Sequence, residues 1–178
     1  MPLAAVDPAL DHFARLGLPR RWSLDSGALQ DAFVAQAREV HPDKYSDAPP
    51  NVQARARTHS SLINEAHHVL KDPLRRAVYL SKLAGFDLNG TGEAGGAPAP
   101  SQTFLLEMME RRDAAESLQD DAEREALLDE VLRERGVTFE GAVTALDTGD
   151  SASAAEALVV VRYLDRFVES LEEALDGV

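Results

Sequence analysis

The chain reads as an all-α protein of two helical parts, and three observations predict it. Apolar residues recur at helical spacing through most of the 178 residues. Good capping residues stand where those runs begin. One glycine- and proline-rich stretch, Gly85 to Pro100 (GFDLNGTGEAGGAPAP), holds five of the 11 glycines and two of the nine prolines, so it divides the chain.

In the first part, Leu10, Phe13 and Leu16 make a short apolar face that Gly17-Leu18-Pro19 ends. Asp25 is a good N-cap for a second helix, with Leu24 and Leu29 placed as a hydrophobic staple and Leu29, Phe33, Ala37 and Val40 on one face. That helix stops near Val40, because the residue before Pro42 is pushed out of helical conformation. Residues 46 to 51 read as loop. A third helix is predicted from about Val52 to Leu70, with Leu62, Ile63, Ala66, Val69 and Leu70 inward. Asp72 as N-cap and Pro73 at the first helical position start a fourth, whose apolar residues are Leu74, Ala77, Val78, Leu80 and Leu83. The predicted organisation is a helical domain over 1–84 and a linker over 85–100. In that linker Phe86 and Leu88 should pack, whereas Gly90 to Pro100 has nothing to bury and should be mobile. A three-helix domain over 101–178 completes the chain.

Within that last domain, Gln102 to Leu118 shows two apolar stripes. Phe104, Met108, Ala115 and Leu118 make the inward one. Leu105, Met109 and Arg112, with Leu106 beside them, make a second. Leu128, Leu132, Phe139, Val143 and Leu146 keep helical phase across Gly136, so one long helix is predicted from about Asp121 to Leu146 despite two interior glycines. A last helix follows from about Ala154 to Leu175, with Leu158, Val161, Leu164, Val168, Leu171 and Leu175 inward and with Tyr163 and Phe167 off that stripe. By periodicity alone, the surplus apolar surface suits a partner or packing against the first domain equally well.

Composition narrows the function classes. The net charge is -13, and it is unevenly spread: residues 1 to 84 carry 11 Lys+Arg against 9 Asp+Glu, and residues 85 to 178 carry 7 against 22. So acidic a chain repels phosphate backbones, which disfavours nucleic acid. No run reaches the ~18 apolar residues of a membrane span, and Met1 to Asp7 lacks the basic and apolar regions of a signal peptide. A cytoplasmic setting is therefore expected, with no membrane partner. Without cysteine there is no disulfide, no thiolate zinc site and no cysteine-ligated cluster held by this chain. Among five histidines, adjacent His67 and His68 point about 100 degrees apart on a helix and His59 lies two turns away, so no metal and no cofactor are predicted.

His41-Pro42-Asp43 is the one motif with a mechanism. Proline stiffens the turn, so two polar side chains project from it as a recognition tip. Asp43 stands too far before the third helix to serve as its cap. A helix, a His-Pro-Asp-Lys loop and a second helix resemble the J-domain. The likeness extends along the chain through Phe13 to Pro19 (FARLGLP), Leu24-Asp25, His41 to Tyr45 (HPDKY), Asn64-Glu65-Ala66, Asp72 to Leu80 (DPLRRAVYL) and Gly85 to Leu88 (GFDL). These segments resemble the HscB-type co-chaperone of iron–sulfur cluster assembly.

That resemblance implies a co-chaperone rather than an enzyme. It would stimulate the ATPase of a DnaK/HscA-type chaperone through His41, Pro42 and Asp43, with Arg38 and Lys44 beside them, and deliver an IscU-type iron–sulfur scaffold. Carried over from TFLLEMMERRD and RYLDRF, the scaffold-binding positions are Leu105, Leu106, Met109, Glu110, Arg112, Asp113 and Tyr163. On this view Leu105 and Met109 should be solvent-exposed, while Phe104 and Met108 hold the bundle together. The zinc-binding cysteines that precede the J-domain in some relatives are absent. One departure is electrostatic: helix two offers Arg38 and then Lys44 with Asp31 and Glu39 nearby, a weaker basic face than is common, with Arg55 and Arg57 as supplements or plain solubilising charges. Two other readings stay open, a J-protein whose acidic C-terminal half binds a different client, and a small helical enzyme using His41 and Asp43 as an acid–base pair.

Overall fold

A computed structural model describes residues 3–88 and 96–177. The helices are α1 (His12–Leu16), α2 (Ser26–Val40), α3 (Pro50–Lys71), α4 (Pro73–Leu83), α5 (Gln102–Ser117), α6 (Asp121–Thr148) and α7 (Ser151–Asp176), with a 3-10 turn at Pro42–Tyr45. They fall into two compact units, Met1–Leu80 and Ser81–Val178. No helix among the described residues is long and apolar enough to cross a membrane.

In the first unit α2 and α3 pack along each other and α1 lies on α3. Phe13, Leu16, Leu29, Val40, Ala56, Ile63, Ala66, Leu70 and Ala77 are its buried apolar residues, while Leu10 is 43% exposed and lies outside the core. The Asp25 carboxylate accepts from the Ala28 amide at 2.7 Å and opens α2 as predicted. Asp72 does the same for α4, accepting from the Arg75 amide at 2.8 Å ahead of Pro73. Helix α3 starts two residues before the predicted Val52. Pro50 supplies a first helical residue that needs no amide partner, so the two prolines begin the helix rather than prolong the loop.

Two aromatic contacts knit the shorter helices in. The His12 ring stacks on Tyr79 at 4.2 Å, and the His12 amide donates to the Tyr79 hydroxyl at 3.0 Å. The Arg76 guanidinium, largely buried, lies 5.0 Å over the Trp22 ring. Burial lowers the His12 pKa from the ordinary 6.5, against the pull of Glu65.

In the second unit α6 and α7 are joined by Gly149 and Asp150. Gly149 takes φ 83°, a left-handed cap that favours glycine, and the Asp150 carboxylate caps α7 by accepting from the Ser153 amide at 3.1 Å. Nine side chains of α7 are buried but only Met108 of α5, so the α6–α7 hairpin is the frame on which α5 rests. The core gathers Met108, Val131, Leu164, Phe167, Val168 and Leu171, with Phe104, Ala115, Leu127 and Leu128 against it.

Several expectations are corrected here. Phe167, read as lying off the inward stripe, is 1% exposed at the centre of that core. Helix α6 is continuous through Gly136 and Gly141 as predicted, yet its fully buried residues are Val131 and Ala142, whereas Leu132 is 42% exposed. The inward line runs through Leu128, Val131, Arg135, Thr138 and Ala142, and its polar members disguise it. Arg135 Nε donates to Asp165 on α7, and Thr138 returns its hydroxyl to the Glu134 carbonyl at 2.8 Å. Of the stretch Gly90 to Pro100, predicted to be mobile, residues 90–95 lie outside the described residues. Beyond them, Pro98 and Pro100 are half-buried beside Phe104, Val159 and Val160, so this end of the stretch does bury surface. At its start Leu88 is buried, as expected, and the Leu88 carbonyl accepts from the Arg162 guanidinium.

Candidate functional site

Between α2 and α3 the chain must reverse without burying backbone. Val40 is the last buried residue of α2, and His41 leaves helical conformation at φ -58°, ψ 128°, as the following proline demands. Pro42 then opens a 3-10 turn closed by the Lys44 amide on the His41 carbonyl at 3.0 Å. Tyr45 reaches back, its hydroxyl donating to the Glu39 carbonyl at 3.1 Å. From α3, the Gln53 amide group donates to the carbonyls of Ser46 and Ala48, both at 2.9 Å. The turn is thus fastened to both helices, which keeps its tip in one shape.

At that tip the side chains of His41 and Asp43 are 57% and 91% exposed. His41 Nδ1 accepts from the Asp43 amide at 3.3 Å, which in the neutral ring places the proton on Nε2, on the side away from the turn. The Asp43 carboxylate stands 3.6 Å from the same ring and is otherwise open to water. The tip therefore presents one N–H donor and one carboxylate in fixed relation, suited to a partner's carbonyl and cation. Acid–base catalysis needs walls around the pair, and this pair stands in open solvent.

Arg38, His41 and Lys44 border a shallow hollow floored by Phe33, Val34 and Ala37. Phe33 and Ala37, read from the sequence as core, are half-buried and line it instead; Phe33 stacks on His67 at 4.1 Å. Val34, outside the face that periodicity predicts, follows Phe33 directly and lies one turn before Arg38. Lys44 is 3.6 Å from Glu39, so part of the positive charge beside the tip is neutralised internally. Two of the other histidines are engaged elsewhere: His67 against Phe33, and His59 with Nε2 3.1 Å from the Ala4 carbonyl.

On α5, Ser101 caps the helix by accepting from the Phe104 amide at 3.1 Å. Helical phase then sends Met108 inward and leaves Leu106 and Met109 58% and 63% exposed, with Glu110, Arg112 and Asp113 exposed beside them. Leu105 is half-buried, not open as expected, because it flanks the inward line. Tyr163 of α7 meets Phe104 edge to face at 5.8 Å, which sets it against the turn of α5 that also carries Leu105 and Leu106. Phe104 itself is only half-buried, so Met108 is the firmer anchor. Arg112 borders a hollow with Ala115, Arg124, Phe167 and Leu171.

Comparison with known proteins follows the same division. Residues 11–79 match the family model of the DnaJ domain, and residues 100–172 that of the HSCB C-terminal oligomerisation domain. The chain is 34% identical to a co-chaperone protein HscB homolog of Azoarcus sp., covering 97% of this chain and 98% of that protein. A second such homolog, from Bordetella petrii, is 36% identical, with 92% and 95% covered. In three dimensions the chain is similar to the human co-chaperone protein HscB, with a TM-score of 0.80, 26% identity, and 99% of this chain and 87% of that chain covered. Chaperone HscB from Vibrio cholerae gives 0.74 and 27%, covering 94% and 99%. With a J-domain bearing the His-Pro-Asp tip followed by the HscB-type helical domain, over nearly the full length of these relatives, the chain belongs to the HscB family of J-domain co-chaperones.

Proposed function

We propose that this co-chaperone binds an IscU-type iron–sulfur scaffold on α5 and α7, delivers it to a DnaK/HscA-type chaperone, and stimulates that chaperone's ATPase through the loop tip. The setting is cytoplasmic. Functionally the chain divides into a chaperone-facing part over 1–84, a connection over 85–100 and a scaffold-facing part over 101–178. His41, Pro42 and Asp43 engage the chaperone, with Arg38 and Lys44 at the margin of the contact. Leu105, Leu106, Met109, Glu110, Arg112, Asp113 and Tyr163 engage the scaffold. Hydrolysis chemistry belongs to the chaperone, and the co-chaperone contributes contacts that favour its hydrolysing conformation.

The observation that supports this reading best is the pairing of two exposed features in one chain. A braced tip presents His41 and Asp43 to water, and a separate patch exposes Leu106 and Met109, large apolar side chains with no role in their own core. Chaperone ATPase measured with this chain, with scaffold, and with both tests it. Each alone should stimulate modestly and the two together by more than their sum. Stimulation by the chain that scaffold leaves unchanged would instead favour a J-protein with a different client.

A further inference from the structure

The inward line of α5 contains a residue whose type contradicts its position. Phe104, Met108 and Ala115 pack toward α6 and α7, and helical spacing places Arg111 on the same line, seven residues after Phe104. Arginine is the last residue a core stripe predicts, so periodicity passes over it. Its guanidinium nonetheless touches both partner helices. Nη1 donates to Glu134 Oε2 at 2.6 Å, and Nη2 lies 3.7 Å from Glu130 Oε1, two carboxylates one turn apart on α6. Its Cζ stands 5.8 Å over the ring of Phe167, the buried centre of α7. The side chain is 25% exposed.

Such a contact is directional where apolar packing is not. Met108 alone tolerates a small rotation or slide of α5. A planar guanidinium hydrogen-bonded to Glu134 and lying over a ring tolerates it less, and fixing helix register is the best-attested use of a polar residue at a core position. We propose that Arg111 is a positioning residue for scaffold binding. By locking the rotation and register of α5, it sets the angle at which Leu106 and Met109 meet the partner. This rests on the scaffold-binding role proposed above, and Arg111 itself makes no contact with the scaffold.

The test measures affinity for the purified iron–sulfur scaffold by calorimetry, with the full chain and its thermal melt as control. Arg111→Met keeps the bulk and removes the directional contact. It should melt near the wild-type temperature, since the ion pairs it removes are partly open to water, with Glu134 and Glu130 39% and 66% exposed, yet bind roughly tenfold more weakly. Arg111→Glu should lose binding as well, and combining it with Glu134→Arg should recover most of that loss, which a residue serving only bulk packing would not show. Wild-type affinity in Arg111→Met, while Leu106→Ala/Met109→Ala binds weakly, would overturn the inference and leave the scaffold face standing. If Leu106→Ala/Met109→Ala also binds as wild type, the scaffold face is misplaced and the inference falls with it. Should Arg111→Met alone melt the bundle, the charge exchange decides: restored folding without restored affinity refutes the positioning role.

Discussion

Single residues on α5 separate binding from stability. Leu106 and Met109 are more than half exposed, so truncating both to alanine should change stability by only about 0.5 kcal/mol. If they are central anchors, scaffold affinity should fall by about 2 kcal/mol or more. Met108, one position away, is buried, and its truncation should cost about 2–5 kcal/mol of folding stability. Chemical denaturation beside calorimetry checks the contrast, and comparable destabilisation by both variants would mean that the two faces are reversed. In the first unit His12 is the residue to watch against pH. Its folded pKa lies below the ordinary 6.5, so the unfolded chain binds the extra proton first and stability declines as pH falls below that value. Asp11, Arg15 and Glu65 act on the same ring, and Tyr79 covers its face. His12→Phe, which keeps the stacking, should flatten this acid slope in melts recorded across the range.

Among the elements, α6 shows what a sequence reveals and what it hides. Its existence and approximate length were legible, because apolar phase carries across two glycines; the structure adds Asp120 as the cap at one end and Gly149 as the left-handed stop at the other. Its buried face was not. Arg135 and Thr138 lie on the inward line with their polar groups satisfied by Asp165 and the Glu134 carbonyl, so counting large apolar residues shifts the apparent stripe by one position toward Leu132. Arg111 on α5 is hidden for the same reason, as a half-buried charged group whose carboxylate partners lie 19 and 23 residues further along the chain, on α6. Pro98 and Pro100 were read as linker because composition cannot say which neighbour covers a proline. The tip was readable, since Pro42 and the flanking helices are local. A Cβ added at Gly136 or Gly141 would meet nothing within 4 Å beyond the helix's own neighbouring backbone. Alanine at either position should therefore stabilise the second unit by about 1 kcal/mol. A rise of several degrees in melting temperature checks it, and a fall would show that α6 needs flexibility there.

At the scale of the whole molecule, two chemically different surfaces sit on one chain whose halves carry opposite net charge, +2 over residues 1–84 and -15 over residues 85–178. Such asymmetry suits a protein that meets two partners, each with its own half. The apolar residues of α1 to α3 close on one another and on Ala77, so residues 1–84 alone should fold and still stimulate the chaperone weakly, while losing all response to scaffold. Circular dichroism of that fragment decides the first point. Whether the braced tip acts on a partner's ATPase is decided by the steady-state ATPase rate of the chaperone with Asp43→Asn in place of the wild-type chain. The carboxylate is 91% exposed and fills no core, so helicity and melting temperature should match wild type while stimulation disappears, with or without scaffold. Stimulation near the wild-type level by that folded variant would mean that the tip does not act on the ATPase.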